Sequence, residues 1–413
     1  MIGLLAQYNG ILLVITSFAL IVSSFWLFVY AFKGKEIRKG YSNTKFFPKL
    51  SIIIPAHNEA GSIGRTLKSV FGSNYPKNKI EVIVVDDGST DNTLSIVKGF
   101  PVKIIRNIKK LGKVGSLNKA IKKAVGEIVI TMDADTALES NSLALLIRQF
   151  EDPRVGAVSG VYKARNTKKM IEKVQALEYL WFGFTRKLQE TLNCVLVIPG
   201  ALGAFRRDVL IKVKGFDSDT MIEDYDMTIK VHKAGYKIKC EKDAIGWIDA
   251  PSSLLALMRQ RIRWFRGGLQ VYAKHSDIFK GKIGMITVLW TTELVGIVMQ
   301  LLIFGLFGFE IIKHLFNYSL LEIFAILKLW LVDMLLLRIT LVDSILFVSV
   351  ILFIVGVINA ALSVKIMKEP MRKMLLYPAM IFYSGILSFV FIKALFDEMV
   401  GTKRIWSLEH GKC

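Results

Sequence analysis

Asp133 and Asp135 form an Asp-x-Asp directly after the apolar run EIVITM. Two carboxylates at a strand end can hold Mg²⁺ or Mn²⁺, which would bridge phosphate oxygens and neutralise a departing diphosphate. Asp86 and Asp87 close another apolar run, IEVIVV, and lead into Gly88-Ser89-Thr90-Asp91-Asn92-Thr93. Asp87 there can accept a hydrogen bond from a nucleobase N–H while Asp91 caps the following helix. Glu59 can reach the base or ribose, or act only as a charge at a helix N-terminus. Lys113 lies in LGKVGSLNKA, a glycine-flanked turn entering a helix, where backbone N–H groups and the helix dipole favour phosphate.

Two later stretches complete the chemistry. MIEDYD (221–226) offers Glu223, Asp224 and Asp226 as candidate bases for an acceptor hydroxyl, and spacing alone does not choose among them. QRIRW (260–264) offers Arg263 as a planar donor for pyrophosphate, Trp264 as a face for a sugar ring, and Gln260 for hydroxyls. The plainer alternative for QRIRW is a basic helix anchored at a membrane surface by its Trp. The histidines (His57, His232, His275, His314, His410) show no metal spacing, and no nucleophile elbow marks a Ser/His/Asp hydrolase. Cys194, Cys240 and Cys413 lack zinc or disulfide spacing and fit a reducing cytosol.

These residues need a scaffold, and residues 50–280 supply strand–helix alternation. LSIIIP (50–55), IEVIVVDDGS (80–89), VKIIR (102–106) and EIVITMD (127–133) read as strands; 60–72, 91–99 and 114–125 read as helices between them. Alternation of this kind predicts an α/β domain with a mostly parallel sheet, whose ligands bind at the strand carboxyl ends. His57-Asn58-Glu59, Asp86-Asp87 and Asp133-Ala134-Asp135 all fall at those ends. Further helices are predicted at 170–190 and 222–233, with 195–205 (VLVIPGALGAF) a glycine-rich apolar connection. Over 254–272 apolar residues step by three and four, while Arg259, Arg263, Arg266 and Gln270 take another face. That pattern predicts an amphipathic interfacial helix, within a region spanning 251–282.

The chain has 413 residues, 53% of them hydrophobic, and a formal charge of +21. The basic excess fits an anionic leaflet and an anionic nucleotide better than nucleic acid, because long apolar runs accompany it. Residues 1–32 carry no charge, and 11–32 are long enough to span a bilayer. Lys33, Lys35, Arg38, Lys39, Lys45 and Lys49 follow, which places residue 33 onward in the cytosol by the positive-inside rule. A cleaved signal peptide is not expected. Apolar segments at 285–309, 317–337, 340–363 and 375–396 give three or four more transmembrane α-helices within 283–398. The second contains Glu322, Lys328 and Asp333 and fits an interfacial segment as well as a span. The expected organisation is an N-terminal span (1–32), a cytosolic catalytic domain (33–250), the interfacial region, these helices, and a short tail (399–413).

The ordered series PAHNE, VVDDGSTDNT, LGKVGSLN, TMDADT, IEDYD and QRIRW resembles the membrane-integrated, inverting family 2 glycosyltransferases, which include synthases of cellulose, hyaluronan, chitin and poly-N-acetylglucosamine. The resemblance covers residues 50–270. It implies a GT-A fold, a nucleotide-diphosphate sugar donor with a UDP-linked sugar as the expected one, and Mg²⁺ or Mn²⁺ as cofactor. By position Asp87, Lys113 and Asp133 match donor-binding residues, Asp133 and Asp135 the metal-binding pair, and Asp224 the general base. Gln260, Arg263 and Trp264 match the pyrophosphate and acceptor signature, with Glu223 beside it and Gly200 in the loop under the acceptor. One departure stands out: Ile222 replaces the Thr usual before Glu-Asp. Expected partners are the donor, a polysaccharide or lipid acceptor, the bilayer and a small membrane subunit, with no nucleic acid. The expected activity is processive β-linked polysaccharide synthesis coupled to export. The alternatives are single-sugar transfer to a lipid and, in another class, binding of nucleic acid or anionic lipid without catalysis.

Overall fold

The computed structural model describes residues 2–38, 46–281, 283–317, 322, 325 and 344–402. The elements run α1 (Ile2–Arg38), β1 (Leu50–Ala56), α2 (Ile63–Phe71), β2 (Ile80–Asp86), α3 (Thr93–Val97), β3 (Lys103–Arg106), α4 (Gly112–Ile121) and β4 (Ile128–Thr131). Next come β5 (Ala137–Leu138), α5 (Ser142–Ile147), β6 (Val155–Ala164), α6 (Met170–Thr191), β7 (Gly203–Arg206), α7 (Arg207–Lys212), α8 (Glu223–Lys233), β8 (Lys237–Ile248) and α9 (Leu254–Lys274). The apolar helices α10 (Met285–Asn317), α11 (Ser344–Ile366) and α12 (Tyr377–Met399) follow.

The strands form one sheet in the order β3-β2-β1-β4-β7-β6-β8-β5. The first four are mutually parallel, with β1 paired to both β2 and β4. Beyond β4 the sheet is mixed: β7 runs antiparallel to β4 and β6, β6 and β8 are parallel, and the short β5 is antiparallel to β8. Alternation along β1 splits the core. Ile52 and Ile54 pack with α2 and α5 residues such as Leu67 and Leu146. Ile53 faces the other layer, with Leu117 of α4 and Met227 of α8. Burial on both faces explains why the β1, β2 and β4 sequences are mostly apolar. The segment 195–205, expected as a connection, ends in strand β7 instead, because its Gly203-Ala204 fit against Thr131 and Ile130 of β4.

Among the described residues, four helical stretches are long and apolar enough to cross a membrane: Gly10–Arg38, Met285–Leu302, Phe347–Ile366 and Met371–Met399. Most of the ambiguous 317–337 segment lies outside the described residues, as does Cys413. The chain divides into two compact units: Met1–Phe32 with Val288–Ala360, and Lys33–Thr287 with Ala361–Cys413. In the first, Asn359 Nδ2 donates to the Ser23 carbonyl at 3.0 Å, an interhelical polar contact of the kind that substitutes for water in lipid. In the second, Phe382, Phe389 and Phe396 are exposed at seven-residue spacing along α12, one apolar stripe of the sort lipid covers.

Helix α9 corrects one expectation. Arg266 and Gln270, read as part of a basic outer face, are buried. Arg266 donates to Glu398 at 2.8 Å and to Thr402, and Gln270 Nε2 donates to Glu398 at 2.9 Å. A buried guanidinium requires such partners, and they come from a region 132 residues away in the chain. Leu254 and Leu255, at the start of α9, are the exposed apolar residues.

Candidate functional site

The carboxyl ends of β1, β2 and β4 and the N-termini of α4 and α8 meet on one edge of the sheet. Asp133 follows β4 and stays partly open, its side chain 36% exposed. Lys113, in the first turn of α4, donates to Asp133 Oδ1 at 2.6 Å and to Glu223 Oε1 at 2.9 Å. Glu223 and Asp224 begin α8, where the helix dipole favours acids. The Gly200 N–H donates to Asp224 Oδ2 at 3.1 Å, and the Ile198 N–H donates to Thr228 Oγ1 at 2.9 Å. The loop 198–200 is therefore fastened to the first turns of α8. Lys113, Gly200, Glu223 and Asp224 line one cleft with Pro55, Thr131 and Phe216.

Gly200 lets these groups approach. A Cβ there would lie 2.5 Å from Lys113 Nζ and 3.6 Å from both Asp133 carboxylate oxygens. Gly200→Ala would push the ammonium out of its bridge between Asp133 and Glu223. We expect donor KM to rise while the thermal midpoint holds, because only the flexible end of a lysine must shift; nucleotide-release kinetics and a melting curve measure both.

Charge is unevenly divided between Glu223 and Asp224. Burial works against ionisation of Glu223, but the Lys113 ammonium and, further off, Arg263 outweigh it and hold its carboxyl below the usual glutamate value. Asp224 goes the other way. Burial and the neighbouring Glu223 charge raise its carboxyl, against Lys113, the Gly200 N–H and Arg263. For Lys113 itself, burial would depress the ammonium, but Asp133, Glu223 and Asp224 together hold it well above the ordinary lysine value. One acid kept ionised beside another with raised proton affinity is the division of labour that a general base requires.

The other predicted residues fall close by. Asp87 accepts from Asn107 Nδ2 and the Leu111 and Gly112 N–H groups, each at 2.8 Å. It thus shapes the turn that presents Lys113. His57 Nδ1 bonds the Asp87 carbonyl at 2.9 Å, and the Glu59 carboxylate accepts from Ser62 Oγ. Asn118 grips the backbone of Phe216 through both ends of its amide, at 2.8 and 2.9 Å. Arg263 acts on both Glu223 and Asp224 electrostatically, so QRIRW borders the acids. Trp264 of the same motif packs its ring against Arg261, with the guanidinium carbon 3.9 Å from the ring centroid. Asp226 is separate: it is buried and bonds His275 at 2.7 Å and Lys274 at 3.0 Å.

The partly open carboxylates of Asp133 and Asp135 offer the hard oxygen donors that Mg²⁺ or Mn²⁺ prefers, so they fit the expected cation. A second acidic group, Asp217, Asp219 and Asp226, lies close enough to share an ion. Lys274 already bonds all three carboxylates, at 2.8, 2.8 and 3.0 Å. The protein's own ammonium already sits among that group.

Sequence reasoning missed the seat of Ile222. A Cβ on Gly267 of α9 would come within 2.6 Å of Ile222, so the two elements touch directly at the residue before Glu223. The isoleucine in place of threonine is the signal: an apolar side chain there needs an apolar seat. Gly267→Ala would have to displace the packed Ile222 side chain, at a cost of about 1–3 kcal/mol. The expected result is a lower thermal midpoint together with reduced turnover, read by melting curve and nucleotide release.

The sheet order, with acids gathered at the parallel strand ends, defines a GT-A fold. Over 84% of its length the chain superposes on 98% of the Pyrobaculum calidifontis mannosyltransferase PcManGT, solved with GDP-Man and Mn²⁺, at TM-score 0.59 and 22% identity. Residues 51–214 match glycosyl transferase family 2. The chain is similar to the poly-beta-1,6-N-acetyl-D-glucosamine synthase of Staphylococcus epidermidis, 32% identical over 228 residues, or 54% of this chain and 55% of that protein. The Staphylococcus aureus protein of that name is 30% identical over 265 residues, 60% of this chain and 63% of its own length. The chain thus matches little more than half the length of these relatives.

Proposed function

We propose that this chain is an inverting glycosyltransferase of the cell membrane, which moves a sugar from a nucleotide-diphosphate donor to a growing β-linked polysaccharide. The observation that carries the reading is Asp224: a half-buried carboxyl of raised proton affinity, held by the Gly200 N–H beside the Lys113–Asp133–Glu223 bridge. Asp224 takes the proton of the acceptor hydroxyl. The acceptor oxygen then bonds to the anomeric carbon as the carbon–oxygen bond to phosphate breaks, and the nucleoside diphosphate leaves with the electron pair. A single displacement inverts the α-linked donor. Arg263 and Lys113 stabilise the charge developing on the diphosphate. Asp133 and Asp135 would hold Mg²⁺ or Mn²⁺, whose chemistry is to neutralise the same phosphates. Asp87 and Glu59 serve the nucleoside end, and Gln260 and Trp264 the acceptor end.

The catalytic domain lies in the cytosol by the lysine-rich stretch after residue 32, in a multi-pass chain whose product passes outward between the helices. A small membrane subunit remains a candidate partner. The similarity to poly-N-acetylglucosamine synthases supports a UDP-linked amino sugar as donor.

The test is nucleotide release by the purified chain across UDP- and GDP-sugars, followed by sizing of the product. A high-molecular-weight polymer supports the proposal, and a single organic-extractable glycolipid replaces it with lipid glycosylation. No nucleotide release with any donor overturns both. Chelation of divalent ions is expected to abolish release, and Mn²⁺ or Mg²⁺ to restore it.

A further inference from the structure

Arg261, the second residue of QRIRW, has no part in the chemistry above, yet it is more completely buried than any other residue of the motif, at 1% exposure. Its Nη2 donates to Glu178 Oε2 of α6 at 2.5 Å and meets Tyr383 Oη of α12 at 3.2 Å. The Tyr383 hydroxyl donates to the same Glu178 oxygen at 2.9 Å. Three helices therefore converge on one guanidinium. Its Nε and Nη1 find no acceptor among the described residues. The stacking explains that arrangement, since Arg261 and Trp264 are three residues apart on one helix face and the guanidinium packs on the indole.

Stability alone is a poor reason for this group. A buried Arg–Glu pair is often matched or bettered by apolar residues of similar volume, and each unmet buried donor adds a further cost. What the arrangement supplies is a plane. The carboxylate and the phenol fix the guanidinium at one edge, and the guanidinium face fixes the indole. One face of Trp264 is thereby occupied, and the tilt of the ring is set by contacts from α6 and α12.

We propose that Arg261 is a positioning residue: held by Glu178 and Tyr383, it sets the plane of Trp264 against which the acceptor sugar stacks. This rests on the reading of Trp264 as the acceptor face. It predicts that loss of Arg261 misplaces the acceptor while leaving donor binding largely intact. Water then takes a larger share of the activated sugar.

The experiment compares sugar incorporated into product with nucleotide released, in the full-length chain and in Arg261→Lys, Arg261→Met and Tyr383→Phe. Lys keeps the charge for Glu178 but lacks the planar face, and Met keeps the volume alone. For both Arg261 variants incorporation per nucleotide released should fall about tenfold, with donor KM moving less than about twofold. Tyr383→Phe, which removes only a hydroxyl, should lower the ratio about threefold. If Arg261→Lys keeps the wild-type ratio, the charge suffices and the proposal fails. It also fails if incorporation and release fall in parallel, the signature of damaged folding or donor binding.

A second readout needs no activity. The emission of the chain minus that of its Trp264→Phe variant isolates Trp264. Arg261→Lys must shift that difference spectrum, and an unchanged spectrum overturns the stacking role. Absence of nucleotide release from the unmodified chain would instead sink the transferase reading, while the emission measurement still decides the place of Arg261.

Discussion

Asp224→Asn is expected to lower kcat about a thousandfold with donor affinity nearly unchanged, the magnitude general-base catalysis commonly supplies. The substitution keeps the shape, and the Asn oxygen can still accept from the Gly200 N–H. It removes the proton acceptor and the charge beside Glu223. Turnover at saturating donor and donor titration by calorimetry separate the two effects. Retention of activity within about tenfold would remove Asp224 from the mechanism. Asp226→Asn is the control within the same segment. Asp226 bonds His275 and Lys274 away from the cleft, so its loss should lower the thermal midpoint more than turnover.

Lys113→Met should produce the second large effect, and its pH signature has a definite sign. The ammonium lowers the proton affinity of Asp224 and Glu223. Because the Asp224 carboxyl already sits above the ordinary aspartate value, the acid limb of kcat/KM should lie above that value in the unmodified chain. Activity falls as pH drops through that limb, because the base becomes protonated. Removing Lys113 takes away a cation that lowers both carboxyls and so raises Asp224 further, and the limb must move to higher pH. Donor KM should also rise about tenfold or more, since a charge-assisted contact to phosphate is lost. The lysine side chain is one-third exposed, so solvent screening limits the loss of fold stability. A pH profile whose acid limb stays in place would show that Lys113 does not face the base.

Much of the site was legible because its chemistry uses polar residues where apolar strands end. Asp87 and Asp133 follow strands whose burial on both faces demands mostly apolar sequence, so the acids mark the boundary. The parallel half of the sheet was readable for the same reason. The mixed half was not. Strand β6 (VGAVSGVYKA) is buried throughout, but small and polar residues dilute its signal. Strand β8 (KIKCEKDAIGWI) interleaves charges, some of them satisfied by distant partners, such as Glu241 by Arg148 and Gln149. Charge alone marked Arg266 as an outer residue, and nothing local announces Glu398. Glu223 and Asp224 were equal contenders by spacing; their separation comes from Lys113, which sits on another helix.

Gln270 binds opposite kinds of group at its two ends. Its carbonyl oxygen accepts from the Met221 N–H at 2.8 Å, while its amide nitrogen donates to Glu398. A glutamate in its place would set one anion against another, and a lysine would have nothing to offer the Met221 N–H. Only a neutral, two-sided group can join the run-up to Glu223 and Asp224 to the end of α12. A shift in the seating of that helix is thus felt three residues from Asp224.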